Sequence, residues 1–168
     1  MPYAHLGPDM LTIGAREFEA TSTRVDLAGC DLGVGCPAAM RELAGALPRM
    51  PHLNSLDLSR NALCEADGAE LSEFAGLVSV LAVCDSLTSL NLAECGLGTD
   101  AAALLATSQS RLRSLAVSGN PRIRDQGMVP LLGSMCGRQV VSLDLSNCGL
   151  GPPRYGRAYA SPHGTRMP

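Results

Sequence analysis

The sequence predicts an α/β solenoid: a segment of a curved horseshoe, with parallel strands on its concave side and helices on its convex side. Three observations predict it. A leucine-spaced pattern, L-x-x-L-x-L-x-x-N/C-x-L, recurs at Ser22 to Leu32, Leu53 to Leu63, Leu87 to Leu97, Leu112 to Ile123 and Val140 to Leu150. The first inward strand residue of each copy (Val25, Leu56, Leu90, Leu115, Leu143) returns after 31, 34, 25 and 28 residues, a period with room for a helix after each turn. Hydrophobic residues make up 46% of the 168, yet aromatics only 3% and tryptophan none, so the core must be built from Leu, Ala, Val and Cys in thin, regular layers.

Each copy encodes a short strand and a tight turn. In Leu56-Asp57-Leu58 the leucines point inward while Ser55, Asp57 and Ser59 point outward. Leu53 and Leu63 fill the core on either side. Asn61 stands where the chain turns away, and a buried amide there can bond backbone groups that would each cost roughly 1–3 kcal/mol if left alone. Cys30, Cys95, Asn120 and Cys148 hold that place in the other copies, and the copy with Asn120 carries one extra residue after it. A thiol is small and buries well, although it is a weak donor.

Eight residues past each closing hydrophobe (Leu32, Leu63, Leu97, Ile123) stand Met40, Leu71, Leu105 and Leu131, and Leu71, Phe74, Val78 and Leu81 follow the spacing of one helical face. Asp67, Thr99 or Asp100, and Asp125 fall near helix starts, where a side-chain oxygen can cap free amides. Pro37 suits a first helical turn. Pro130 lies deeper and predicts a late start or a kink. Strands about 4.8 Å apart beneath helices about 10 Å wide force the helices to the convex side.

The ends depart from the pattern. Residues 1–21 read as an amino-terminal cap or as a disordered stretch: Leu11-Thr12-Ile13 as a first edge strand, Ala15 to Ala20 as a short helical turn. The repeats span residues 22–150. After Leu150 comes Gly151-Pro152-Pro153-Arg154-Tyr155-Gly156, and residues 151–168, rich in Gly, Pro and Arg, read as a flexible tail. The last strand then lacks a covering helix. Either the tail covers it, or a partner does, or the chain is part of a longer array; self-association through the open carboxy-terminal end is a further expectation.

Net charge of −3, with no basic run, argues against nucleic acid. The seven cysteines include no C-x-x-C pair and no neighbouring histidine, so neither metal nor cofactor is expected, and reduced, mostly buried thiols are the expected state. No basic segment followed by an apolar run opens the chain, and the longest apolar-rich stretch, Phe74 to Cys84, is too short to span a bilayer. A cytoplasmic protein is expected, with the nucleus as the alternative.

The units LeuAspLeuSerArgAsnAlaLeu, LeuAsnLeuAlaGluCysGlyLeuGly and LeuAspLeuSerAsnCysGlyLeuGly resemble the ribonuclease-inhibitor-like class of leucine-rich repeats. The stretch Arg122 to Met128 looks more like the cysteine-containing subtype of F-box adaptors. The resemblance implies a fold and, in common to its members, a protein partner held on the concave face. Its members include enzyme inhibitors, innate-immune sensors, GTPase activators, ubiquitin-ligase adaptors and cytoskeletal scaffolds. No F-box, nucleotide-binding module or catalytic domain is recognisable beside the repeats.

The outward strand positions define the candidate surface: Arg24, Asp26, Ser55, Asp57, Arg60, Ser89, Asn91, Glu94, Ser114, Ser142, Asp144 and Asn147. Small side chains would leave the floor open, and the column Asp26, Asp57, Asn91, Ala116, Asp144 would attract a basic or donor-rich segment. The plainer account, that solvated strands of this class simply carry Asp, Asn and Ser, weighs more. No aromatic anchor lies on this face. His5, His52 and His163 are scattered, and Gly29 to Gly35 lacks a phosphate-loop pattern, so no catalytic residue is expected. Two functions remain: a non-catalytic interaction module, or a regulatory accessory to an enzyme. For a GTPase-activator version of the second, Arg60, Arg122 and Arg124 are the candidate loop arginines.

Overall fold

The computed structural model describes residues 9–33, 36–64, 71–108, 111–137 and 139–151. Two strands, β1 (Met10–Ile13) and β2 (Arg16–Glu19), form an antiparallel hairpin. Five more, β3 (Arg24–Asp26), β4 (Ser55–Asp57), β5 (Ser89–Asn91), β6 (Ser114–Ala116) and β7 (Ser142–Asp144), make one parallel sheet in chain order. Helices α1 (Pro37–Ala46), α2 (Leu71–Leu81), α3 (Thr99–Thr107) and α4 (Arg124–Met135) separate those strands. Each helix packs on the next in sequence, so helices and strands form two parallel layers.

The register is the one the leucine spacing demands. Val25 pairs with Leu56, Leu56 with Leu90, Leu90 with Leu115, and Leu115 with Leu143. The first four of this row are buried, as are Leu27, Leu58, Leu92 and Val117 two residues on, and Leu53, Leu63, Leu87 and Leu97 on either side of the strands. Phe74, Leu77, Val78 and Leu81 close the core from α2, with Leu71 at its edge.

Buried turn residues hold adjacent copies together. Asn61 donates from Nδ2 to the carbonyls of Leu27 and Leu58 at 2.8 Å and of Ser59 at 3.2 Å, and its Oδ1 accepts the N–H groups of Cys30 (2.9 Å) and Leu32 (3.1 Å). Leu27, Cys30 and Leu32 belong to the preceding copy, so one amide ties two repeats. Asn120 repeats the arrangement, with the N–H groups of Cys95 and Leu97 and the carbonyls of Leu92, Val117 and Ser118. At the alternate junctions thiols serve: Cys95 Sγ donates to Leu58 O at 3.1 Å and Cys148 Sγ to Val117 O at 3.2 Å.

The backbone alternates with them. After Cys30, Cys95 and Cys148 the next residue (Asp31, Gly96, Gly149) has positive φ, whereas after Asn61 and Asn120 it does not. Gly96 and Gly149 are required twice over. Besides φ of +70° and +68°, a Cβ at either would run into a backbone carbonyl of the preceding turn, of Cys64 or of Pro121.

Several local expectations are corrected. Ala15 to Ala20 is no helical turn: Arg16–Glu19 pairs back on Met10–Ile13 across Gly14-Ala15, with Gly14 at φ +59°. Nor is Leu11-Thr12-Ile13 the first edge of the parallel sheet. The hairpin stands apart from it and buries Leu11 and Ile13 against α1 as a cap. Arg16 donates to the Asp26 carbonyl at 2.8 Å, satisfying the outer side of β3, and Glu42 accepts the Gly14 N–H at 2.8 Å.

The helix caps also differ. Neither α3 nor α4 has a side-chain cap. The Thr99 hydroxyl bonds forward to the Ile123 carbonyl at 3.1 Å, and Asp125 accepts from Gly151 at 3.3 Å, because contacts to the next copy claim both groups. Asp67 lies outside the described residues. Pro37 does open α1. Pro130 sits inside α4 without delaying it: Ile123, fully buried, already accepts the Gly127 N–H, and the ring faces solvent. Of the thiols outside the turns, for which burial in helix packing is the sequence expectation, Cys64 is buried and Cys36 and Cys84 are half-buried, but Cys136 is exposed and departs from it. No disulfide joins the cysteines, and no helix among the described residues is long and apolar enough to cross a membrane.

Asn61→Ala leaves several buried groups of two copies without partners and should lower stability by at least about 3 kcal/mol in urea unfolding. Asn61→Cys, the residue the alternate turns use, should cost less. Equal stability of Asn61→Ala and the parent would show that the amide is not a fastening. Gly149→Ala should cost about 1–2 kcal/mol or more in the same assay.

Candidate functional site

The sheet's outer face is the candidate. Because strand neighbours are in register, its side chains stand in three columns. Arg24, Ser55, Ser89, Ser114 and Ser142 form the first, and Asp26, Asp57, Asn91, Ala116 and Asp144 the second. The third, just beyond the strands, holds Ala28, Ser59, Ala93, Ser118 and Ser146. The structure thus brings together the strand residues that the sequence singled out, half-buried in the middle strands and exposed on β3 and β7.

Arg60, Glu94 and Asn147 follow at the strand ends with φ of +57°, +56° and +55°. This left-handed turn recurs at Gly29 and Gly119. It lifts these three side chains out of the sheet's pleat.

The central acids have a second role that the sequence reading did not assign. Asp57 Oδ1 accepts the Ser59 N–H (2.9 Å) and hydroxyl (2.7 Å), while its Oδ2 accepts the Asn91 amide at 3.0 Å. Asp144 binds the Ser146 N–H at 3.0 Å and hydroxyl at 2.6 Å, and Asp26 accepts the Ala28 N–H at 3.0 Å. Asn91 does the same for the Ala93 N–H at 3.1 Å. Each side chain anchors the backbone two residues on, where the strand gives way to the turn. The D-x-S spacing in the sequence carries that signal.

These contacts also relieve the crowding of Asp26 opposite Asp57. Partial burial pushes the Asp57 carboxyl up, but the Ser59 hydroxyl and N–H, the Asn91 amide and the Arg60 charge outweigh it and leave it below the usual carboxylate range. The Ser146 hydroxyl and N–H, with the Ser118 hydroxyl, hold Asp144 down in the same way, against slight desolvation. Burial, by contrast, pushes the Cys95 thiol up to about 12, which keeps it protonated as a donor.

Other chemistry is not assembled here. His52 is exposed in a return loop, and His5 and His163 lie outside the described residues. Among the described residues no group of three or more His, Cys, Asp or Glu side chains could hold a metal ion.

Asp57 and Asp144 titrate lower folded than unfolded, so their contribution to stability is complete above the unfolded value of about 4 and is lost as pH falls through the folded one. The denaturant midpoint should therefore hold level from about pH 7 to 5 and decline below about pH 4. Asp57→Asn should shallow that decline. An unchanged slope in that variant would remove Asp57 from the effect.

A family model described as Leucine Rich repeat matches residues 49–70, 83–106 and 110–132, the second, third and fourth copies. The first and fifth copies join them through the sheet register. No curated protein matches the chain.

Proposed function

With the chain established as a leucine-rich-repeat solenoid, we propose that it is a non-catalytic protein–protein interaction module that works through the concave face of its sheet. The observation that carries this reading is the register itself. Five strands present small or polar side chains in straight columns, and a preformed surface binds at reduced ordering cost. Its chemistry favours a donor-rich or basic protein segment: Asp26 and Asp144 are exposed at the two sides, with the half-buried Asp57 carboxylate and amide, hydroxyl and methyl groups between them. With no aromatic anchor in the columns, affinity should be modest.

The ribonuclease-inhibitor-like class is part of the same proposal, supported by the repeat period and the helix in each filled repeat. So is a reducing compartment, the cytosol or nucleus. Cys95 and Cys148 act as S–H donors to buried carbonyls, a role only the reduced thiol can fill.

Charge reversal at Asp57 or Asp144 would damage turns as well as the surface, so the decisive variants are Ala116→Arg and Ser89→Arg, which add bulk and charge to the columns. Affinity capture with the intact chain should lose its partner in both, by about tenfold or more in Kd, at unchanged melting temperature. Val83→Arg, on the exposed end of the convex layer, should retain it. Retention by all three variants would move the working surface off the sheet.

A further inference from the structure

The two edges of the parallel sheet differ. On the β3 side the hairpin packs on α1, and Arg16 donates to the outward Asp26 carbonyl. On the β7 side, nothing among the described residues takes up the groups that every other copy gives to its successor. The N–H groups of Leu27, Leu58, Leu92 and Val117 donate to the next copy, and the carbonyls of Thr23, Asn54, Thr88 and Arg113 accept from it. Their counterparts in the fifth copy are the Leu145 N–H and the Val141 carbonyl. Ser142 donates to Arg113 and Asp144 accepts from Val117, so both face β6, and the alternation of the strand turns the Leu143 N–H and carbonyl outward.

The side chains at this edge are equally incomplete. Leu143 and Leu145 are only half-buried, where their counterparts in all four earlier copies are buried. Val141, at the place of Asn54, Thr88 and Arg113, is 81% exposed, and Leu150 is 47% exposed. A groove of about 460 Å³ lined by Pro121, Leu145, Cys148 and Leu150 adjoins them. From Val141 to Leu145 there is no proline, lysine or bulge of the kind that shields an open edge.

We propose that this edge pairs with the same edge of a second copy, antiparallel, about a two-fold axis at Leu143. The free groups are self-complementary in that arrangement. The two Leu143 residues exchange N–H to carbonyl bonds, and each Leu145 N–H meets the second copy's Val141 carbonyl, because 141 and 145 lie equally far from the axis. Ser142 stands opposite the second copy's Asp144, a hydroxyl donor facing a carboxylate, so the two Asp144 side chains are kept apart. Val141 stands opposite the second copy's Leu145, and apolar side chains cover one another on the inward face. A head-to-tail stack is the competing arrangement. It sets Asp144 beside the second copy's Asp26 and has to displace the hairpin that holds that edge. The two-fold pair closes on itself, so association stops at a dimer in which two five-stranded sheets become one.

The test is the mass of the full chain in solution against its concentration. Analytical ultracentrifugation should show a monomer passing into a dimer and nothing larger. Val141→Lys and Ser142→Asp should each weaken the dimer by about tenfold in dissociation constant, with the melting temperature in dilute solution unchanged. Ser142→Lys, which turns a cation toward the same Asp144, should dimerise at least as well as the parent. Amide exchange of segment 141–147 should slow as the parent's concentration rises. A monomer at every concentration would overturn the proposal. So would a dimer indifferent to Val141→Lys and Ser142→Asp, or assemblies larger than a dimer, since another surface would then carry the contact.

Discussion

The structure depends on how the turns satisfy their buried backbone. A parallel strand of three residues makes few hydrogen bonds, and the chain must then leave the sheet through the core. Amides and carbonyls would be stranded there without water. Asn61 and Asn120 supply both donors and acceptors and reach across to the preceding copy, while Cys95 and Cys148 supply a single weak donor at the alternate junctions. No buried side-chain nitrogen or oxygen among the described residues lacks a partner. The alternation is also geometric: the copies with a thiol take a second left-handed residue after it, and those with an amide do not.

Surface and core follow from that fastening. Once the turns fix the stagger of adjacent copies, the inward residues of every strand fall into rows and the outward ones into columns. The same Asp that faces solvent in a column also holds the N–H group two residues on, just beyond the strand, so the candidate site and the turn share side chains. This is why the acidic column is tolerated. Its charges are spent on neighbouring hydroxyl and N–H groups, and the remaining surface is mild, open and regular, suited to a broad partner more than to a deep ligand.

Much of this was legible in the sequence, and the exceptions have physical reasons. The row Val25, Leu56, Leu90, Leu115, Leu143 and the turn role of Asn61 follow from spacing, because a repeated unit meets the same neighbours in each copy. The capping role of the hairpin is half visible: Leu11 and Ile13 alternate correctly, but Ala15 to Ala20 suggests a helical turn where the structure has the returning strand β2. Thr99 and Asp125 have the right residue types for helix caps, yet their oxygens were taken by the next copy. Pro130 was overridden in turn, since packing of Ile123 sets where α4 begins.

By itself the sequence determined the period, the buried rows, the identity of the turn residues and the residues of the outer columns, since each depends on local spacing repeated under near-translational symmetry. The tertiary structure alone decided what happens where that symmetry stops: the hairpin sealing the first strand, the exposed Val129 and Leu132 on α4, and the bonds that draw Thr99 and Asp125 away from their nearest chain neighbours. Those outcomes turn on competition among groups far apart in the chain, and spacing carries no information about which of them wins.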